Sequence, residues 1–335
     1  MDPTRSFICA AVLLASGCAA GAQEPPKDSF EQHAGEAPAI VDQESTTDRA
    51  GRIVTPVLLN GRGPLRFILD TGANRSAISM SVAQALGVGA SGQEFINVHG
   101  VTGLARVPVA LIDQMQVGTL ALENLRLPIL QDEVFAGADG ILGIDSLQDA
   151  RVEINFSEGR VVVSKSTGRR ARSGYLLVRA QLHEGGLLLV HGKVGRVPVK
   201  VILDTGAERS MGNLPLLKAL QDAAAVAQRT RGATVIGATP GDVAATAMRT
   251  PLVAIGEATL KDLIVTFGDL HVFQVWGLGG EPALVVGMDL LSTLGGFVID
   301  YPLREFLLRP RVDPRDKFIR RGCGDGCSSI MHDRT

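Results

Sequence analysis

The stretch Gly61-Arg62-Gly63-Pro64-Leu65-Arg66-Phe67-Ile68-Leu69-Asp70-Thr71-Gly72-Ala73 returns as Gly195-Arg196-Val197-Pro198-Val199-Lys200-Val201-Ile202-Leu203-Asp204-Thr205-Gly206-Ala207, 134 positions later. Identity continues at Arg75/Arg209 and Ser76/Ser210. At average composition a given four-residue string occurs at roughly one position in 10⁵, so two copies of Asp-Thr-Gly-Ala in matching context are not chance. A second shared block follows each copy: Ile141-Leu142-Gly143-Ile144-Asp145-Ser146-Leu147 matches Val285-Val286-Gly287-Met288-Asp289-Leu290-Leu291. Each block leads into a strand, a turn and a strand, Val152 to Phe156 then Arg160 to Val163, and Phe297 to Tyr301 then Glu305 to Leu308. Self-similarity over so long a period reads as a duplicated domain rather than a solenoid. The copies are expected at 51–166 and 173–310, with a polar basic linker at 167–172.

Within each copy the apolar runs are short. Val54 to Leu59 and Leu65 to Leu69 flank Asn60-Gly61-Arg62-Gly63, a hairpin signature. Leu187 to Val190 and Val197 to Leu203 repeat it around Gly192 and Gly195. Ile68-Leu69 and Ile202-Leu203 are expected to deliver Asp70 and Asp204 into tight turns, where Gly72 and Gly206 suit the backbone. Helices are few. Ser79 is expected to cap Met80 to Leu86, with Gly87 as the stop. Asn213 is expected to cap Leu214 to Gln228, and Asp145 a short helix over 146–148. An all-β fold with small helices follows.

Apolar residues make up 45% and charged residues 20%, so a large buried core is expected and whole-chain disorder is not. A net charge of −2 leaves no electrostatic footprint for nucleic acid. Four Cys are too few for a disulfide-built scaffold.

The N-terminus, residues 1–22, has the three parts of an export signal: Arg5, an apolar stretch from Phe7 to Leu14, and small residues from Ala15 onward. Ala20-Gly21-Ala22 suits one cleavage site. Ser16-Gly17-Cys18 resembles a lipobox that would lipidate Cys18 and tether the protein to a membrane, although Ala15 stands where Leu is usual. Residues 23–50 are acidic and Pro-containing and read as a disordered linker. The tail, 311–335, carries Cys323 and Cys327, which an oxidising compartment would join as a local disulfide. The expected location is outside the cytoplasm, periplasmic or in the cell envelope.

A lone Asp-Thr-Gly is most often an ordinary turn. Duplication changes this, because two related domains bring the same loop tip against its copy. Two carboxyl groups about 3 Å apart cannot both ionise, so they share one proton. Such a pair does general acid and general base work together. One carboxylate takes a proton from water while the protonated partner hydrogen-bonds a substrate carbonyl, with neither metal nor cofactor.

Both copies resemble the retropepsin-type aspartic peptidases, through the two Asp-Thr-Gly-Ala strings and the apolar-apolar-Gly blocks. The resemblance implies tandem retropepsin/pepsin-like β-barrel lobes related by pseudo-twofold symmetry, with Asp70 and Asp204 as the catalytic pair. It implies that Thr71 and Thr205 lock the two loops across the axis. Gly72 and Gly206 would let backbone N–H groups approach the carboxylates, and Gly143 and Gly287 would sit behind the active turns. It also implies β-hairpin flaps over the substrate, at Val98 to Gly103 (His99, Gly100) and Val235 to Gly241 (Gly237, Ala238). Pepsin-like flaps carry a Tyr. This chain has only Tyr175 and Tyr301, neither in a flap.

The expected protein is an exported aspartic endopeptidase acting on a peptide or protein substrate as a two-lobed monomer. The alternatives are a catalytically silent peptide-binding or envelope scaffold of the same fold, and a dimer in which the internal pair never meets. The six His are scattered, and His183 and His191, flanking a Gly-containing turn, give no third metal ligand. Trp276 is either a subsite wall or a cover on the core edge. Arg75 and Arg209 are read as structural ion pairs.

Overall fold

The computed structural model describes residues 50–89, 94–168, 174–223, 230–261 and 263–311, with short pieces at 7–8, 14–15, 43–44, 46–48 and 318–320. The protein is all-β, with a few short helices.

The first hairpin forms as its sequence dictates. Ile53–Leu59 and Arg62–Leu69 pair antiparallel and turn at Asn60 and Gly61, both at positive φ (49° and 72°). In the second half the corresponding strands are Leu188–Val194 and Val197–Leu203. Their turn is Gly195-Arg196 alone. Gly192, expected at the turn, lies inside the strand opposite Ile255, where a Cβ would come 2.7 Å from the Ala254 carbonyl oxygen. The glycine marks a close approach of two backbones rather than a bend.

Seven strands then take the same order in both halves. In the first half that order runs Phe95–His99, Leu104–Val117, Leu120–Leu130, Ala77–Ser79, Gly140–Leu142, Arg62–Leu69, Ile53–Leu59. In the second it runs Thr230–Ile236, Asp242–Arg249, Ile264–Phe267, Met211–Gly212, Ala283–Val286, Val197–Leu203, Leu188–Val194. Each aspartate-bearing strand lies parallel to the apolar strand before its glycine, Leu69 beside Leu142 and Leu203 beside Val286. Parallel strands are covered on both faces, and Phe67, Ile68, Leu69, Ile141 and Leu142 are all fully buried.

A third sheet draws on both halves, in the order Leu176–Arg179, Glu305–Arg309, Gly296–Asp300, Ala150–Asn155, Arg160–Lys165, Gln43–Glu44. At its centre, Arg151–Asn155 pairs antiparallel with Gly296–Asp300. Arg151 Nη1 meets Asp300 Oδ2 across this joint at 3.1 Å, and Ser166 Oγ donates to the same fully buried carboxylate.

The helix at Met80–Leu86 is capped as expected. Val82 N–H donates to Ser79 Oγ at 3.2 Å, and Gly87 closes it in the left-handed region. Asn213 caps Leu214–Ala223 through a bond from Leu216 N–H, and residues 224–228 of the expected helix lie outside the described residues. Asp145 does not cap. Gly143 holds the cap position of Ile144–Leu147, and Asp145 lies in the first turn because its carboxylate is taken by Ser76.

The expected linker boundary also moves. Gln43–Glu44 pairs with Arg160 and Val161, Thr46–Thr47 pairs with the first hairpin, and Asp48 is buried, so part of 23–50 belongs to the fold. At the other end Phe318–Arg320 adds an edge strand beside Ala258–Leu260. Most of 1–22, including Cys18, and residues 321–335, including Cys323 and Cys327, lie outside the described residues, as do 169–173 of the linker region.

Candidate active site

Each aspartate leaves its strand into a turn that its own carboxylate organises. Asp70 Oδ1 accepts from the N–H groups of Gly72 and Ala73, both at 2.9 Å. Asp204 Oδ1 accepts from Gly206 (2.8 Å) and Ala207 (3.1 Å). These bonds leave Oδ2 of each aspartate buried and without a donor from its own turn. They also fix which oxygen each turn presents.

The two turns meet. A Cβ on Gly72 would fall inside the van der Waals envelope of the Asp204 carboxyl, and one on Gly206 inside that of Asp70. Glycine is required here by the opposite aspartate as well as by the turn. The threonines bond reciprocally: Thr71 N–H donates to Thr205 Oγ1 and Thr205 N–H to Thr71 Oγ1, each at 3.1 Å. Thr71 Oγ1 then donates to the Leu203 carbonyl, and Thr205 Oγ1 to that of Leu69, each at 2.6 Å.

Burial is the largest influence on both aspartates. It pushes Asp70 well above the ordinary carboxylate range, and the charge of Asp204 pushes it further, against the Gly72 N–H and the Arg52 charge. Burial also raises Asp204, while the N–H groups of its turn, a hydrogen bond from Asp70 and the Arg52 charge pull back. The pair therefore holds one proton over a wide range, and that proton belongs to the pair. The Tyr301 phenol is buried near the pair; burial and then both carboxylate charges raise it far above its usual range.

Gly143 and Gly287 stand behind the turns. A Cβ on Gly143 would strike the Arg75 backbone, and one on Gly287 the backbones of Ala207 and Arg209. Sequence reasoning noticed the repeated Ser76/Ser210 and Asp145/Asp289, read Asp145 only as a helix cap and gave the other three no part. Ser76 Oγ donates to Asp145 Oδ1 (2.7 Å) and accepts from Gly143 N–H (3.0 Å). Ser210 does the same with Asp289 (2.8 Å) and Gly287 (3.1 Å). Burial raises both Asp145 and Asp289, and the Ser bonds and the charges of Arg75 and Arg209 oppose it. Arg209 also meets Glu208 at 3.4 Å.

The two segments expected as flaps form hairpins whose tips touch. Thr102 Oγ1 donates to the Thr239 carbonyl at 2.9 Å. Gly100 faces Thr239, Gly237 faces Thr102, and Ala238 packs on the first-half core cluster. His99, ending the first flap strand, stacks on His271 with its Nδ1 2.9 Å from His271 Nε2. His271 had no signal in sequence, since the pair is 172 residues apart. Beside the tips lies a cavity of about 440 Å³. Met80, Val107, Pro108, Ile129 and Leu130 line it from the first half, and Ile236, Ala238 and Pro240 from the second, with Arg106 and Asp242 also contributing.

Residues 55–146 match the family model described as Aspartyl protease. The matched segment contains Asp70-Thr71-Gly72-Ala73, the first flap and the Ile141-Leu142-Gly143 block. No curated protein matches the chain.

The remaining sequence expectations resolve as packing. His183 and His191 do not pair: His183 Nε2 meets the Trp276 carbonyl at 2.6 Å, and His191 lies 3.4 Å from Gln181 Oε1. Trp276 is fully buried, edge-on to Phe273, and belongs to the core.

Proposed function

We propose that the protein is an aspartic endopeptidase whose two halves are duplicated lobes, with Asp70 and Asp204 forming one catalytic pair. The observation that carries this reading is the mutual approach of the two turns, in which each glycine faces the opposite carboxyl. In the resting state the pair carries one shared proton. The ionised carboxylate accepts a proton from a bound water, and the protonated one donates to the scissile carbonyl oxygen. Water adds to the carbonyl carbon to give a gem-diol. Proton return to the nitrogen then breaks the C–N bond. The two carboxyls relay every proton: the one taken from water goes to the nitrogen, a gem-diol hydroxyl returns the other to the pair, and the Thr71/Thr205 bonds keep the carboxyls from separating.

The flap hairpins support an extended peptide as substrate, and the cavity beside them supports an apolar side chain next to the cut bond. The N-terminal pattern supports an exported protein of the periplasm or envelope, tethered if Cys18 is lipidated.

Cleavage of a mixed peptide library by residues 23–335, scanned from acid to neutral pH beside Asp70→Asn and Asp204→Asn, tests the reading. Loss of at least about a hundredfold in either variant is expected, the lower scale of acid–base catalysis. Activity surviving one substitution would refute a shared site. No cleavage by folded protein at any pH would favour a silent peptide-binding scaffold.

A further inference from the structure

The two halves match strand for strand, yet one position next to the carboxyl pair differs in charge. In the first hairpin Val54 stands opposite Ile68. Continued two residues past the paired strands, this register sets Arg52 against Asp70. In the second half Leu189 stands opposite Ile202, and the same step brings Leu187 to Asp204. The preceding turns correspond as well. Asp48 N–H donates to the Arg52 carbonyl at 3.0 Å, and His183 N–H to the Leu187 carbonyl at 2.8 Å. The first half thus carries Asp48 and Arg52 where the second carries His183 and Leu187.

Arg52 is fully buried. Its Nε contacts Asp48 Oδ2 at 2.5 Å, while Nη1 and Nη2 are buried and without a partner. A buried guanidinium with two idle NH2 groups is costly and has no packing rationale, since Leu187 fills the equivalent place. Opposed residues of an antiparallel ladder share a face, so the side chain of Arg52 lies on the side of Asp70. Its charge favours ionisation of Asp70, Asp204 and Glu208 alike. The other charges in this neighbourhood are Asp48 and Arg209, both acting on Glu208. Tyr301 faces the pair as a neutral phenol.

We propose that Arg52 is a positioning residue of the carboxyl pair, a buried cation present in one half only that carries the pair's monoanion to lower pH. The proposal rests on the reading of Asp70 and Asp204 as the working pair. Two like carboxyls in an apolar site would take a second proton readily as pH falls. A cation beside the pair opposes that step and extends the monoanion to lower pH. It aids loss of the last proton too, so the monoanion window shifts to lower pH as a whole.

The test is a carboxyl-carbon NMR titration of the full chain together with the pH profile of kcat/KM. Arg52→Met alone would strand Asp48, so the informative variant is Arg52→Met with Asp48→Asn. Asp48 Oδ1 now accepts the N–H groups of Ala50 and Arg52, and the amide oxygen that Asp48→Asn leaves in its place can accept both. The titration steps of the pair are expected to move up by about one pH unit in this variant, the low end for a nearby opposite charge, and the activity window to move with them. Arg52→Lys should restore most of the shift. A folded double variant that titrates like the parent, or loses activity by one factor at every pH, would overturn the proposal. If the parent cuts no peptide, the functional reading fails, and the carboxyl titration alone decides Arg52: an upward shift upholds its role and coincident curves reject it.

Discussion

At the scale of single residues the site is a problem of packing two carboxyls without their charges. Burial raises both aspartates, and the turn N–H groups hold Oδ1 of each so that Oδ2 alone is available. Thr71 and Thr205 each bond both a backbone N–H and a carbonyl of the opposite turn, so neither turn can shift without stranding buried groups. Gly206 gives the sharpest prediction. A methyl there would overlap the Asp70 carboxyl, and the surrounding turns are bonded too tightly to yield. Gly206→Ala is expected to fold, as judged by circular dichroism, and to lose at least about a hundredfold in kcat, the scale reached by misplacing a reacting group by an ångström. A variant that folds and keeps parental kcat would show that the turns do not meet this closely in solution.

Among elements, the flap hairpins carry the contact that sequence reasoning did not find. His99 and His271 are close enough for one N–H···N bond, which needs one neutral ring. Burial and the His271 charge both hold His99 below its ordinary value of 6.5. The sign follows: the contact contributes fully above that value, and is weakened as pH falls below it and His99 gains a proton beside the His271 charge. Amide exchange across 95–104 is expected to rise about threefold more on acidification in the parent than in His271→Ala, the scale of a solvated charge pair. Equal rises would mean that this contact does not hold the flap. What sequence made legible was local. The Asn60-Gly61 turn, the Ser79 cap and the Gly87 stop depend on neighbours within a few residues, and their elements lie where expected. Gly192 looked like a turn because its role, contact with the Ala254 strand, comes from a distant segment. Asp145 looked like a cap because Ser76, which takes its carboxylate, is 69 residues away. Asp70 and Asp204 were legible because repetition is visible without folding. Arg52 was not, because its meaning lies in having no counterpart.

Over the whole molecule the halves are joined by more than the facing turns. The six-stranded sheet runs through both, with Arg151–Asn155 against Gly296–Asp300 at its centre. The joint also buries Asp300 against Arg151 and Ser166, a carboxylate whose separation would leave a charge in the core. Two aspartate turns, two touching hairpins and a common sheet therefore lie in one chain, and assembling the proposed site needs no second copy. A site built between chains would lose activity on dilution as the complex came apart, whereas a site within one chain cannot. Specific activity is thus expected to stay constant over about a thousandfold dilution, by mass action. Sedimentation should give a single species near the 35.3 kDa of the full chain, less any removed leader. A fall in specific activity that tracks dissociation of a dimer in the same range would place the working carboxyl pair between copies instead, and the contact between Gly72 and Asp204 within one chain would then have to open for catalysis.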